Sequence, residues 1–250
     1  MKREIIESRH NPLIVHVKKL LCSRSYREKN AEFAADGTKL LHEAVKWYPN
    51  LSTVIVQEGV EICPLPENVR VVQVSQSIMR DLSPMEAPQG AVFVCKLPAQ
   101  RQVHLQGGCI VLDGIQDPGN LGTILRTADA LELPVILTEG CCDAYNPKTV
   151  RASMGAVFRT QPVCMTKEQV VEQLRKAGVS LYATAMSDDA RDLREVDLKK
   201  AAVVIGSEGQ GICPMLMNAC RGKIIIPMNS RCESLNAAVA ATIVMWQMKR

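Results

Sequence analysis

The sequence predicts an α/β protein in two parts: a small α/β unit, then a larger one built on a parallel sheet. Three observations carry this. First, the candidate strands of the second part, residues 109–112, 135–137, 202–205 and 224–226, are unbroken apolar runs, the pattern of strands covered on both faces by helices. Second, three of these runs (109–112, 202–205 and 224–226) lead into a polar turn and then a helical pattern. Third, short apolar runs alternate with helical patterns between residues 32 and 96, which describes a smaller α/β unit.

Taken in order, Asn11-Pro12 precedes Leu13, Ile14, Val17, Leu20 and Leu21, a capped amphipathic helix with proline at its first position. The spacing predicts a helix over 38–47 and strands over 53–57, 70–74 and 91–95. A polar, unpatterned stretch at 98–108 reads as a linker, so that 1–97 forms one domain and 109–250 the other. In the second domain, helices are expected over 121–131, 167–176 and 234–248.

Composition narrows the class. The 250 residues are 47% hydrophobic and 22% charged, ordinary values for a globular protein. Aromatics are only 4%, so Val, Ile, Leu, Ala and Met must form the core. No apolar run reaches membrane-span length, and Met1-Lys2-Arg3-Glu4 is too polar to open a secretory signal. A cytoplasmic protein with no membrane contact is expected. The 10 cysteines include no C-x-x-C pair and no histidine at ligand spacing, so reduced cysteines and no metal are expected.

The net charge is +4, and it is unevenly spread. Lys2, Arg3, Arg9, Lys18, Lys19, Arg24, Arg27 and Lys29 face only Glu4, Glu7 and Glu28 in the first 29 residues. A phosphate-contacting arm and a solvated helix face both account for such a segment.

Three stretches have the makings of a site. In the first, a strand ending at Asp113 runs through Gly114 and Asp117-Pro118-Gly119 to Asn120, with Arg126 six residues on. Asn120 is either a site residue or a helix N-cap; strand ends of this kind are where open α/β sheets bind ligands. In the second, Val203-Val-Ile-Gly-Ser-Glu-Gly-Gln-Gly211 lacks both the dinucleotide and the P-loop spacing. Its glycines permit close backbone approach to a small molecule, and Glu208 is either a ligand contact or a first-turn acid. In the third, a strand ends at Pro227 and Ser234 starts a helix of small residues, either as its cap or as part of a pocket.

Together, Asn120-x-Gly-x-x-x-Arg126, Ile205-Gly-Ser-Glu-Gly-x-Gly211 and Ile226-Pro-Met followed by Ser234-Leu-Asn236 resemble the three signature motifs of the SpoU/TrmH family of RNA ribose 2′-O-methyltransferases. Asn146-Pro-Lys-Thr-Val-Arg-Ala-Ser-Met-Gly-Ala156 resembles the family's segment between the first two motifs. The stretches Ser8-Arg-His-Asn-Pro-Leu13 and Asp36-Gly-Thr-Lys-Leu-Leu41 resemble its N-terminal substrate-binding domain.

The resemblance implies a C-terminal trefoil-knotted parallel-sheet methyltransferase domain, preceded by a small α/β substrate-binding domain. It also implies S-adenosylmethionine as methyl donor without a metal, RNA as substrate with ribosomal RNA favoured over tRNA, and a homodimer. Carried over to these positions, the catalytic group is Asn120, Arg126, Glu208, Ser234 and Asn236, and the cofactor lies against Gly206, Ile226, Met228 and Leu235. RNA is then held by Arg3, Arg9, Lys18 and Lys19 of the basic segment. Rival readings are a tRNA ribose methyltransferase, a base methyltransferase of the same superfamily, a non-catalytic RNA binder that keeps a cofactor pocket, and a nucleotide-dependent α/β enzyme. The absent Rossmann and P-loop spacings count against the last.

Overall fold

The structure is a computed structural model, and it describes residues 4–99, 105, 107–229, 231 and 234–250. Contacts divide the chain into two compact units, Met1–Ala99 with Tyr145–Arg159, and Gln100–Ala144 with Thr160–Arg250. Most of the predicted linker at 98–108 lies outside the described residues. Among the described residues no helix is long and apolar enough to cross a membrane.

The first unit contains β1 (Glu4–Ile6), α1 (Pro12–Cys22), α2 (Arg24–Asn30), β2 (Glu32–Asp36), α3 (Thr38–Trp47), β3 (Leu51–Gln57), β4 (Arg70–Val74), α4 (Gln76–Leu82) and β5 (Ala91–Lys96). Its sheet runs β1-β4-β3-β5-β2 and is mixed, with β5 antiparallel to both β3 and β2. On one face, Ile14, Val17 and Leu20 of α1 and Ile78 and Met79 of α4 pack on Ala34, Ile55, Val72 and Val94. The Asn11 side chain accepts from Leu13 N at 2.9 Å and Pro12 occupies the first turn, so α1 starts where the sequence places it. Full burial of each large apolar side chain contributes about 1.5–3 kcal/mol.

Side chains alternate across a strand, so Phe33 and Phe93, the neighbours of Ala34 and Val94, face the other way. There they meet Tyr48 and Phe158 in an aromatic cluster, with ring centroids 5.8 Å apart for Phe33–Tyr48 and 6.2 Å for Phe93–Phe158. Phe158 comes from the segment 145–159, which folds as α6 (Pro147–Ala152) and α7 (Ala156–Thr160). Sequence order puts this segment inside the 109–250 domain. Its packing puts it in the first unit, where Tyr145 and Phe158 join the rings of Phe33, Tyr48 and Phe93. Gly155 marks the close approach: a Cβ there would lie 2.8 Å from Glu43 Cβ of α3.

The second unit contains β6 (Cys109–Asp113), α5 (Pro118–Ala130), β7 (Val135–Thr138), β8 (Val163–Met165), α8 (Lys167–Ala177), β9 (Leu181–Thr184), β10 (Arg191–Asp192), β11 (Ala202–Gly206), α9 (Pro214–Ala219), β12 (Gly222–Ile225) and α10 (Ala237–Lys249). All pairings in its seven-stranded sheet, ordered β10-β12-β9-β11-β6-β7-β8, are parallel. Val170 and Leu174 of α8 and Leu216 of α9 cover one face over Val111, Ile136, Ala183 and Val204. On the other face α10 packs on α5 and β11.

Two helix starts differ from expectation. Asp117, not Asn120, caps α5, its Oδ1 accepting from Asn120 N at 2.7 Å, and Pro118 takes the first helical position. Asn236, not Ser234, caps α10.

The buried aromatic cluster predicts that Phe158→Ala lowers unfolding free energy by about 3–5 kcal/mol, measured by urea denaturation. A loss under about 1 kcal/mol, the usual range for a surface change, would remove the segment 145–159 from the core. Burial also raises the Cys95 thiol and pushes Cys109 up to about 12. At pH 8, iodoacetamide is therefore expected to modify exposed Cys22 and Cys164 and to spare Cys95 and Cys109, as read by peptide mass spectrometry.

Candidate functional site at the carboxyl edge of the parallel sheet

Because the second sheet is wholly parallel, the carboxyl ends of β9, β11 and β12 lie along one edge. A cavity of about 360 Å³ opens there, lined by Thr184, Gly206 and Ile226 at or just beyond those strand ends. Its volume falls within the roughly 300–1,000 Å³ of small-molecule sites. Ile205, Ile212, Met217 and Ile224 give it an apolar floor, and Ser207, Glu208 and Ser234 a polar rim.

The wall at the end of β11 is backbone. The chain turns back on itself so that Gly211 N donates to Ser207 O at 3.0 Å, and Gly211 has φ +67°. A Cβ on Gly206 would stand 2.4 Å from Gly211 C and 2.7 Å from Ile212 N, so only glycine allows this fold-back. The turn's far end is fixed by Asp113, 4% exposed, which accepts from Cys213 N at 2.7 Å and Thr138 Oγ1 at 2.8 Å. Lys167 Nζ lies 3.7 Å from the same carboxylate. Sequence reading used Asp113 only as a strand end; its burial beside a threonine and a lysine distant in sequence carries no local signal.

A polar chain joins the three motif turns. Asn120 Nδ2 donates to Glu208 Oε1 at 2.7 Å, and Asn236 Nδ2 donates to Asn120 Oδ1 at 3.0 Å. Asn236 Oδ1 accepts from Ala238 N at 3.0 Å and from Val239 N at 3.3 Å, so one side chain caps α10 and holds Asn120. Glu208 Oε1 also accepts from Ala237 N at 3.4 Å, placing its charge at the helix N-terminus, where the dipole favours it.

The structure thus brings Asn120, Glu208 and Asn236 together. Gly206, Ile226, Met228, Leu235, Ser234 and Glu208 all line the cavity. Arg126 stands apart from the chain of amides. It is exposed on α5 and makes no hydrogen bond or ion pair among the described residues, while the adjacent Thr127 meets Thr242 of α10 at 3.3 Å. The cavity contacts of Thr184 and Met186 escaped sequence reading because β9 is four residues long and only alternately buried.

The basic segment is less available than expected. Arg3 lies outside the described residues. Lys18 Nζ is held by both oxygens of Asp81 at 3.1 Å, and Lys19 Nζ sits 5.5 Å from the Tyr26 ring centroid. Arg9 is exposed. Arg27 is buried and donates to Leu20 O at 2.6 Å, which makes it a structural cation.

The cavity suits the cofactor implied by the motifs. A purine and the methylene groups beside a sulfonium fit an apolar floor, hydroxyls fit the rim, and the Gly206 fold-back lets a ligand reach the backbone. Comparison with known proteins agrees. The profile of the SpoU rRNA Methylase family matches residues 108–246, and that of the MRM3-like substrate binding domain matches residues 11–92. The chain is 31% identical over 246 residues to the 23S rRNA (guanosine(2553)-2′-O)-methyltransferase RlmP of Bacillus subtilis, covering 98% of each. An RNA methyltransferase of the TrmH family from Porphyromonas gingivalis superposes with a TM-score of 0.85 at 30% identity, over 96% of this chain and 98% of that one. The AdoMet-bound rRNA methyltransferase from Sinorhizobium meliloti superposes with a TM-score of 0.88 at 26% identity, over 98% and 97%. With its three motif turns tied at one sheet edge and its length matched from end to end, this chain belongs to the SpoU family of RNA methyltransferases.

Proposed function

We propose that this protein transfers a methyl group from S-adenosylmethionine to a ribose 2′-hydroxyl of ribosomal RNA. The observation that carries the reading is the Glu208–Asn120–Asn236 chain joining three turns beside a small-molecule cavity. The Bacillus subtilis relative, a 23S rRNA guanosine 2′-O-methyltransferase, supports the ribose and the ribosomal target over tRNA. The AdoMet-bound neighbour supports the donor.

When bound, S-adenosylmethionine supplies a methyl made electrophilic by its sulfonium, and the protein must hold the hydroxyl in line and assist loss of its proton. Gly206, Ile226, Met228 and Leu235 hold the donor. Glu208 Oε1 is committed to Asn120 and Ala237, whereas its second oxygen makes no hydrogen bond among the described residues. That oxygen is assigned to the ribose: it accepts the hydrogen bond of the 2′-hydroxyl and takes up its proton as the methyl is transferred. Asn236 positions Asn120, and Ser234 shapes the rim. Arg126 acts as a cation rather than as a base, since guanidinium stays protonated in proteins. It grips the phosphate beside the target ribose and stabilises the developing alkoxide.

The active unit in this reading is a cytoplasmic homodimer. Val239, Ile243 and Trp246 are 48%, 37% and 66% exposed and recur on one face of α10. The Thr127–Thr242 contact puts this stripe beside the stretch of α5 that carries Arg126, so a second copy covering the stripe also borders the site. The family's trefoil knot near the C-terminus belongs to this reading. Exposed Arg9 and Lys19 remain the phosphate contacts of the basic segment.

The test is transfer of labelled methyl from S-adenosylmethionine to total RNA of cells lacking the protein. The expected product is a 2′-O-methylnucleoside in ribosomal RNA, absent with Arg126→Ala. Retained S-adenosylhomocysteine binding without any label transfer would mark a non-catalytic binder instead. Arg126→Lys is expected to slow single-turnover transfer about 100-fold, the scale of losing one oriented donor; a near-normal rate would leave only the charge as important. Asn236→Ala is expected to cost about 1 kcal/mol of stability through the lost cap. Asn236→Asp keeps the cap but loses the donor to Asn120, so it should lose activity while melting near wild type. Wild-type activity in Asn236→Asp would separate Asn236 from the polar chain.

A further inference from the structure

The first unit holds a second cavity, of about 600 Å³, at the N-terminal end of α3. Asp36, 5% exposed, sits in its wall, bonded by Arg151 Nη2 at 2.7 Å and by Ser83 Oγ at 2.8 Å. Gln89 Oε1 accepts from Thr38 N at 3.1 Å, and its amide nitrogen has no partner among the described residues. A carboxylate, an amide and a guanidinium around one cavity form the donor and acceptor set that reads a nucleobase edge.

The outer face of α3 continues from this cavity. Lys39, His42 and Lys46 are exposed and make no hydrogen bond or ion pair among the described residues. Their spacing puts them on one side of a helix about 15 Å long. The face ends at Trp47, 47% exposed, with Lys46 Nζ 4.9 Å and Arg159 Cζ 5.9 Å from its ring centroid. Arg159 also pairs with Glu43 in the cavity wall, so the cavity and the indole share one polar connection. An indole left half in water beside two cations gains little for folding. It is a stacking platform with phosphate contacts on either side.

We propose that this face is a single-stranded RNA site. An unpaired base stacks on Trp47, Lys39 and Lys46 hold the backbone, Arg159, already paired with Glu43, braces the indole, and a neighbouring base enters the cavity to meet the open amide nitrogen of Gln89 beside the Asp36–Arg151 pair. The proposal rests on the reading of the protein as an RNA methyltransferase and adds a grip on α3 and the segment 145–159 to the contacts of Arg9 and Lys19 in the basic N-terminal segment.

The full-length protein is titrated into a labelled single-stranded RNA of about ten nucleotides, within the span of known single-strand sites, and into a blunt duplex of equal length. Trp47→Ala is expected to weaken single-strand binding about ten-fold, the effect of losing one stacked base, and to leave duplex binding unchanged. Trp47→Phe retains a ring and should lose under about three-fold, because a smaller π-face still stacks. The charge reversal Lys39→Glu with Lys46→Glu, on solvent-exposed positions, should reduce the salt slope by about two. In methyl transfer, Trp47→Ala should raise KM for RNA and leave kcat at saturating RNA unchanged, with S-adenosylhomocysteine binding intact. Wild-type affinity in Trp47→Ala, or equal losses in Trp47→Ala and Trp47→Phe, would overturn the stacking site while wild-type methyl transfer still stands. Trp47-dependent RNA binding without methyl transfer by the wild type would overturn the enzymatic reading and leave the site.

Discussion

One oxygen of Glu208 holds the second unit's functional edge together. It accepts from Asn120 Nδ2 at 2.7 Å and from Ala237 N at 3.4 Å, so turns that follow β6 and β11 and the start of α10 converge on one atom. The amide of Asn120 must then present its nitrogen to Glu208 and its oxygen to Asn236. Such a chain has a direction, and reversing any member leaves a donor facing a donor or an acceptor facing an acceptor. Polar networks of this kind specify one arrangement when fully satisfied and cost stability when they are not. Three loops that could otherwise drift relative to the sheet are thereby given one registry.

The cavity beside this chain needs a wall that no side chain can build. Gly206 comes so close to Gly211 and Ile212 that a methyl group would collide with backbone, so the strand end and the returning turn form a continuous surface of peptide groups. Asp113 fixes the far side of that turn through Cys213 N. Its buried carboxylate is matched by Thr138 and by Lys167, which moderates the penalty of burying charge.

The parallel sheet and the motif turns were legible because buried strands and glycine turns leave local signatures. Helix starts were legible where the capping residue is also the obvious one, as at Asn11-Pro12, and where periodicity alone was strong, as at α3 over Thr38–Trp47. At α5 the same device operates at Asp117-Pro118, but Asn120 lies close enough to attract the assignment, and at α10 Asn236 competes with Ser234. Long-range facts were not legible. β9 is too short and too evenly alternating to stand out, and nothing in the run from Tyr145 to Arg159 shows that Phe158 stacks among Phe33, Tyr48 and Phe93. Charge was misleading in a similar way: Lys18 and Arg27 add to the basic count, yet one is paired with Asp81 and the other is buried on Leu20 O.

That last point bears on how a chain of net charge +4 can hold a polyanion. Cations that already have partners contribute little, since a competing phosphate must first displace an existing ion pair. Arg151 is committed to Asp36 within the first unit, whereas Lys39, Lys46 and Arg126 have no anionic partner among the described residues. Lys39 and Lys46 flank a cavity and an exposed indole, and Arg126 lies on the helix that carries Asn120. On the proposed reading, affinity and chemistry then draw on different cations. A strand held through the first group would gain salt-sensitive binding energy without any demand on geometry, and the guanidinium of Arg126 would be left for the one phosphate whose placement sets the ribose in line.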